Sequence, residues 1–505
     1  MNLVKLGEER IQKFGETVSL VFEEKEYTNL TINEMGKRFA SGLKSLGIGR
    51  GDHVIVSLPN MPEVFACFGA IWRIGAVIVP IMFLLGENET RYILDHSDAK
   101  AVITSQDLLE KIENARKGIA QIKHVVVIGG EDQGDVVSFE GLLDRSPADD
   151  IIAEMEADDV ALMIYTSGTT GQPKGVMLSH NNLYQNAIAA FEATELKEGG
   201  AISLLCLPLA HSFGVVSMNA GNVSPFAGGF AVLMSWFDPE EVFRLIEKYR
   251  ATFFIGVPTM YQILLNHPAA EKYDTSSLER CTISAAPVTE ELYRAFTKKF
   301  NCKMYEGYGL TEASPAVAMC RPSMPHKLGS TGVPMSGVEV KIFDHEDTEL
   351  SPGEQGEIVI RGPNVMVGYY KNPEATAEAL QGGWLHTGDV GYVDEEGYLF
   401  ITDRIKDMII KGGYNIYPSE IEGFIEEHPG VAEVSVIGIP DEKYGEEIMA
   451  FVVKMPDQEL SEDEVIEYTK DKMTPFKAPS KVNFVDGLPK SLVGKVLKKE
   501  LRKLA

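Results

Sequence analysis

Short β-branched runs alternating with amphipathic helical stretches constrain this chain more than any other feature. Asp52-His53-Val54-Ile55-Val56-Ser57-Leu58, closed by Pro59-Asn60, is the first. Lys100-Ala101-Val102-Ile103-Thr104 and His124-Val125-Val126-Val127-Ile128 are two more. Strand, helix, strand is the unit of a parallel sheet, because parallel neighbours need a crossover between them. The unit recurs at Phe253-Phe254-Ile255-Gly256-Val257, preceded by the helical stretch Pro239 to Tyr249. After about residue 330 the style changes. Val338-Glu339-Val340-Lys341-Ile342 and Gly356-Glu357-Ile358-Val359-Ile360 flank Pro352-Gly353 and predict antiparallel strands. A last block, roughly 407–505, has its own βα pattern and a Lys-rich end.

Charge narrows the function. Lys and Arg total 47 against 74 Asp and Glu, a net −27 that repels polyphosphate backbones and argues against nucleic-acid binding. From Gly487 onward the balance reverses, with Lys490, Lys495, Lys498, Lys499, Arg502 and Lys503 against Glu500. That reversal suits an anionic ligand or a solvated helix end, and charge alone does not separate the two. Five cysteines without a C-x-x-C pair read as reduced thiols. No apolar leader follows Met1, so a cytoplasmic location is expected. Ile74 to Leu85 is too short to span a bilayer, and Pro80 interrupts it. Gly199 to Phe237 carries no charged residue, yet Asn219, Asn222 and Pro225 favour a buried core there. Peripheral membrane contact stays open, and nothing separates a monomer from a homodimer.

The strongest local signal is Tyr165-Thr166-Ser167-Gly168-Thr169-Thr170-Gly171-Gln172-Pro173-Lys174-Gly175. Hydroxyls, backbone N–H groups of glycines and one lysine suit phosphate oxygens. Pro173 stands where the second glycine of a Walker A loop would be required, so this is a different loop.

This loop resembles the phosphate-binding motif of the adenylate-forming (AMP-binding) superfamily, and five further segments match that family in order. They are Pro208-Leu209-Ala210-His211-Ser212-Phe213-Gly214, Glu306-Gly307-Tyr308-Gly309-Leu310-Thr311-Glu312 and Gly383-Trp384-Leu385-His386-Thr387-Gly388-Asp389. Thr402-Asp403-Arg404-Ile405-Lys406 and Pro489-Lys490-Ser491-Leu492-Val493-Gly494-Lys495 complete the set. The resemblance implies an α/β fold with a large N-terminal domain, residues 1–403, of doubly wound subdomains plus a small β-barrel-like subdomain. A hinge at 404–406, centred on Lys406, and a small mobile α+β domain at 407–505 would follow.

It also implies roles. Thr166, Ser167, Gly168, Thr169, Thr170 and Lys174 would cradle the β,γ-phosphates of ATP, and Thr311 the α-phosphate. Ala285, Ala286, Glu306, Gly307, Tyr308 and Gly309 would bind adenine, with Tyr308 stacking on the base. Asp389, assisted by Arg404, would hold the ribose, and Glu312 would ligate Mg²⁺, a hard cation that prefers oxygen. Lys495 would bring positive charge to the carboxylate and phosphate as they converge. His211 would gate the acyl pocket as a neutral donor, since a carboxylate needs no general base at neutral pH. Phe213, Val216, Ser217, Met260, Ala285, Ala286 and Pro315 are the pocket candidates.

Met408-Ile409-Ile410-Lys411-Gly412-Gly413-Tyr414-Asn415 resembles the segment lining the CoA tunnel, where glycine lets a thin thiol arm pass. Lys411 and Tyr414 depart from the commonest residues there, as does Ser284 in Ser284-Ala285-Ala286-Pro287, where glycine is common. The expected activity is an ATP-dependent carboxylate–CoA ligase for a medium- or long-chain fatty acid. An alicyclic or aromatic acid, or loading of a carrier protein, are the alternatives.

Overall fold

In a computed structural model of the chain, all residues are described except 167–171, 197–199, 224–227, 457 and 491–495. The apolar runs form strands within one residue of their predicted limits: His53–Ser57, Ala101–Ser105, His124–Ile128 and Phe253–Gly256. They belong to two large sheets. Among the described residues, one sheet has eight strands, parallel from Val160–Thr166 through Val77–Pro80, His53–Ser57, Ala101–Ser105 and His124–Ile128 to Val136–Ser138. At its other edge Val160–Thr166 turns back on Lys174–Ser179, which pairs antiparallel with Gly368–Tyr369. The second sheet has nine strands, with Ile202–Leu205, Phe230–Leu233, Phe253–Gly256, Arg280–Ile283 and Lys303–Gly309 parallel at its centre.

The uncharged stretch forms strands Ile202–Leu205 and Phe230–Leu233 around helix Ser212–Val223, and Leu204, Val215, Met218 and Val232 are buried as the sequence predicts, while Trp236 is 67% exposed. Among the described residues, no helix is long and apolar enough to cross a membrane. Helix Pro239–Tyr249 starts where expected because the Asp238 side chain accepts the Glu241 N–H and Pro239 needs no partner at its first position.

Beyond residue 330, Glu339–Phe343, Gly356–Arg361, Leu385–Val393 and Leu399–Arg404 form an antiparallel four-stranded sheet in the place expected for the small β subdomain. The last sheet has five strands between Ile409 and Phe484, with helix Pro418–Glu426 placing Ile421 and Ile425 on Val436 and Ile448. One apolar core joins the first three sheets. Phe68 and Trp72 from helix Pro62–Arg73, Leu162, Leu205, Val317 and Ile358 all belong to it. Each such side chain contributes about 1.5–3 kcal/mol by leaving water. The two large sheets are thereby joined through a common core, with the carboxyl ends of several strands opening on a shared crevice, the usual ligand position in open α/β sheets.

Candidate functional site

That crevice is a cavity of about 1220 Å³. Thr166 and Lys174 reach it from the hairpin of the eight-stranded sheet, and Ala285, Gly307, Tyr308, Gly309, Thr311, Glu312 and Pro315 from the nine-stranded one. His211, Phe213, Val216 and Ser217 line it from the start of helix Ser212–Val223, and Arg404 and Lys406 from the end of the four-stranded sheet. Thr166 and Lys406, 240 positions apart in sequence, are therefore collected in one space.

Some expected residues stand elsewhere. Met260 does not line the cavity: its sulfur lies 4.0 Å from the Cys206 sulfur, packed under the strand that carries Gly256. Ala286 lies just outside the lining. Glu306 is buried behind it, 3.4 Å from His326, on which Tyr293 stacks at 4.3 Å. Ser167, Gly168, Thr169, Thr170 and Lys495 lie outside the described residues.

The His211 turn is set by backbone contacts. The His211 N–H donates to the Pro208 carbonyl at 3.0 Å, and Val215 N–H to the His211 carbonyl at 3.0 Å. A Cβ on Gly214 would stand 2.2 Å from the Pro208 oxygen, so only glycine closes this turn. His211 Nδ1 accepts the Phe213 N–H at 3.2 Å, which leaves the ring proton on Nε2. Burial lowers its pKa to about 4, so the ring is a neutral donor at neutral pH. Beside it, the Ser212 and Thr311 hydroxyls are 3.1 Å apart, joining the helix start to the strand-end motif.

Asp389 is 3% exposed and reaches the site through two partners. Tyr308 Oη donates to Oδ2 at 2.6 Å, and Arg404 Nε sits 2.7 Å from Oδ1. Arg404 is in place because it faces Asp389 directly across the antiparallel ladder. Burial, then the Asp389 charge, pushes the Tyr308 phenol far above its usual range, so it stays a donor. An ionised carboxylate offers about four acceptor positions, and these two contacts leave capacity for further hydroxyl donors.

Glu312 Oε1 accepts from the Tyr369 hydroxyl at 3.0 Å, and Lys174 Nζ stands 4.8 Å from the centre of the same ring. Among the described residues no cluster of three metal-ligating side chains exists. A lone carboxylate oxygen on the cavity wall fits Mg²⁺ nonetheless, since that ion is held by one or two carboxylates, waters and substrate phosphates. Glu312 would hold it there, and the ion would supply charge neutralisation across the phosphates.

From the segment after the last sheet, Lys490 and Leu497 line the cavity. Lys490 pairs with Val496 in an antiparallel bridge, and Leu497 N–H donates to the Pro489 carbonyl at 2.8 Å, so both flanks of residues 491–495 sit at the cavity. Lys411, Gly412, Gly413 and Tyr414 do not line it. Lys411 is buried 2.9 Å from Glu447 and under the Phe476 ring at 4.8 Å, while Tyr414 is 68% exposed. The glycines have φ of 58° and 85°, a left-handed turn that favours their residue type.

The structure adds a side-chain contact at Ser284 and one contributor, Tyr369, that sequence reasoning missed. The Ser284 hydroxyl, at a position where glycine is common, donates to the Gly307 carbonyl at 2.7 Å and ties two strand ends together. Tyr369 has no motif around it; its place follows from pairing with Val176, some 190 residues earlier.

The AMP-binding enzyme family model matches residues 7–370, and the AMP-binding enzyme C-terminal domain model residues 420–495. A feruloyl-CoA synthase of Amycolatopsis sp is 38% identical over 94% of this chain and 94% of its own. A long-chain-fatty-acid–CoA ligase of Bacillus subtilis (strain 168) is 34% identical over 97% of this chain and 92% of its own. The ATP-bound MatB structure from Rhodopseudomonas palustris is 30% identical, with TM-score 0.91 over 100% of this chain and 99% of that one. The chain thus belongs to the AMP-binding enzyme family, as an ATP-dependent, AMP-forming acyl-CoA ligase working with Mg²⁺ and CoA.

Proposed function

We propose that the acid activated here is a medium- or long-chain fatty acid. The observation that carries this reading is the extent of the cavity. Besides His211 its lining takes in Phe213, Val216 and Leu205, and also Phe68, Trp72 and Ile11, which stand on helices outside the nucleotide motifs. An extended apolar wall of that kind suits a flexible chain better than a single compact ring. An aromatic acid is the second reading, supported by the resemblance to a feruloyl-CoA synthase.

In the first half-reaction a carboxylate oxygen attacks the α-phosphorus of ATP, and the bond to pyrophosphate breaks. Lys174 and Thr166, with Ser167, Gly168, Thr169 and Thr170, bind the departing phosphates. Thr311 and Lys495 meet the α-phosphate, where donors aimed at developing charge matter most. Tyr308 and the strand-end backbone hold adenine, Asp389 with Arg404 the ribose, and His211 orients the acyl oxygen. In the second half-reaction the CoA sulfur attacks the acyl carbon, AMP leaves, and the thiol proton is released.

The glycine segment Gly412-Gly413 lies away from the cavity while Lys490 and Leu497 line it. That arrangement supports adenylation first and rotation about Lys406 next, with residues 1–403 and 407–505 as the moving units. A cytoplasmic place fits the buried, free cysteines. The test is CoA-dependent AMP release across saturated acids of increasing length beside hydroxycinnamic acids. A preference for the aryl acids overturns the fatty-acid reading.

A further inference from the structure

Behind the cavity wall, two side chains on one helix grip both ends of the hydroxyl-rich hairpin loop. Tyr92 and His96 lie one turn apart on helix Glu87–His96, a spacing that brings side chains together. Their rings stack at 5.3 Å with an interplanar angle of 20°. His96 Nδ1 is 2.7 Å from the Tyr165 hydroxyl, on the strand entering the loop. The Tyr92 hydroxyl donates to the Pro173 carbonyl at 3.2 Å, where the chain leaves it. Thr166 and Lys174, the immediate neighbours of these two anchor points, face each other across the ladder and line the cavity.

A third contact completes the grip. Tyr369 and Tyr370 are successive residues at a strand edge and face opposite ways, as strand geometry requires. Tyr369 meets Lys174 and Glu312 in the cavity, whereas Tyr370 packs edge-on against His96 at 5.9 Å. Tyr370 donates to Asp98 at 2.8 Å, and Lys371 bridges Asp98 and the His96 carbonyl. Tyr92, His96, Asp98, Tyr370 and Lys371 do not line the cavity, whereas Tyr165 and Tyr369 do, so the helix acts through the hairpin.

We infer that Tyr92 and His96 are positioning residues that hold Thr166 and Lys174 at the spacing required by the ATP phosphates. The inference rests on the phosphate-handling reading of this loop. The loop is rich in glycine and hydroxyl residues, and a rigid outside brace fixes its two ends without occupying the cavity. Preorganised donors cost no rearrangement at the moment of reaction, which is why misplacing them slows chemistry without abolishing binding of the other substrates.

The experiment uses the full-length enzyme and separates the ATP-dependent step from the thioester step. ATP–pyrophosphate exchange at saturating acid gives KM for ATP and kcat. Acyl-CoA formation from pre-made acyl-AMP needs no β,γ-phosphate and serves as the internal control. Tyr92→Phe removes one oxygen and keeps the stacked ring, so folding is preserved. Loss of a single hydrogen bond predicts about a five- to tenfold fall in kcat/KM for ATP, with the acyl-AMP step unchanged. His96→Phe should do the same, and His96→Asn, which returns a polar atom near the Nδ1 position, should recover part of it. Equal loss in both steps, or no loss in the ATP step, overturns the inference. Lys174→Ala distinguishes the underlying reading: if it leaves KM for ATP unchanged, the loop itself is misread. If Lys174→Ala raises that KM and Tyr92→Phe does not, the brace alone is rejected.

Discussion

The Tyr308 hydroxyl donates to Asp389 Oδ2 at 2.6 Å, joining the nine-stranded sheet to the four-stranded one inside the site. The ring proposed to lie on adenine and the carboxylate proposed to hold ribose are thus one unit. Tyr308→Phe leaves the ring but takes away a charge-assisted bond, worth about 1.5–3 kcal/mol. KM for ATP should rise at least tenfold with a fall in melting temperature. An unchanged KM would separate the two residues functionally.

Lys495→Ala should cut adenylation by about 10²–10⁴, the effect of removing one transition-state donor of roughly 3–5 kcal/mol. Its neighbours Lys490 and Leu497 already face the cavity. Acyl-CoA formation from supplied acyl-AMP should survive, because in the proposed rotation the basic segment leaves before the thiol enters. Near-normal pyrophosphate exchange in the variant rejects the assignment.

Gly413→Trp should block thioester formation and spare adenylation. In the present arrangement a Cβ at Gly413 meets nothing within 4 Å, although its φ of 85° makes any side chain strained there by about 1–2 kcal/mol. The indole therefore obstructs only when this turn swings to the cavity. Matched losses in pyrophosphate exchange and acyl-CoA yield would remove the tunnel assignment.

Stability should fall between pH 6.5 and pH 4. Burial lowers both His180 and His211 to about 4, so the unfolded chain binds their protons first and stability rises with pH across this window. Each contributes up to about 3 kcal/mol, present above pH 6.5 and lost on acidification. Glu426 acts oppositely: burial, then Glu422 and Glu433, raises it to about 7, so its contribution weakens as pH climbs through that value. Urea midpoints at pH 5 and pH 7 should therefore differ by less than two histidines alone would give. His180→Gln should flatten the difference and Glu426→Gln should steepen it. The reverse pattern would reassign the buried groups responsible.

Much of the parallel architecture is legible because its strands are largely buried and read as short apolar runs. His124–Ile128 and Phe253–Gly256 illustrate this. The site is legible where chemistry is concentrated in a continuous segment, as from Gly307 to Glu312. It is illegible where distant pairing decides. Met260 looks like a pocket residue by its apolar character, yet its helix turns its sulfur toward Cys206. Tyr369 looks like an ordinary aromatic, yet pairing with Val176 carries it to Glu312. Lys411 stands in a segment read as a tunnel wall, and here its ammonium is committed to Glu447.

The two large sheets each borrow an edge from the other's stretch of sequence. Val18–Thr28, near the amino end, completes the nine-stranded sheet, while Gly368–Tyr369, after all of that sheet's strands, completes the eight-stranded one. No single cut of the chain therefore yields either sheet whole, and neither can be traded between relatives as a cassette. The five-stranded sheet from Ile409 to Phe484 is drawn from one uninterrupted stretch. Exchange of modules just before that stretch would leave both interleaved sheets whole, and acid selectivity, if it resides in the proposed pocket between them, would stay behind.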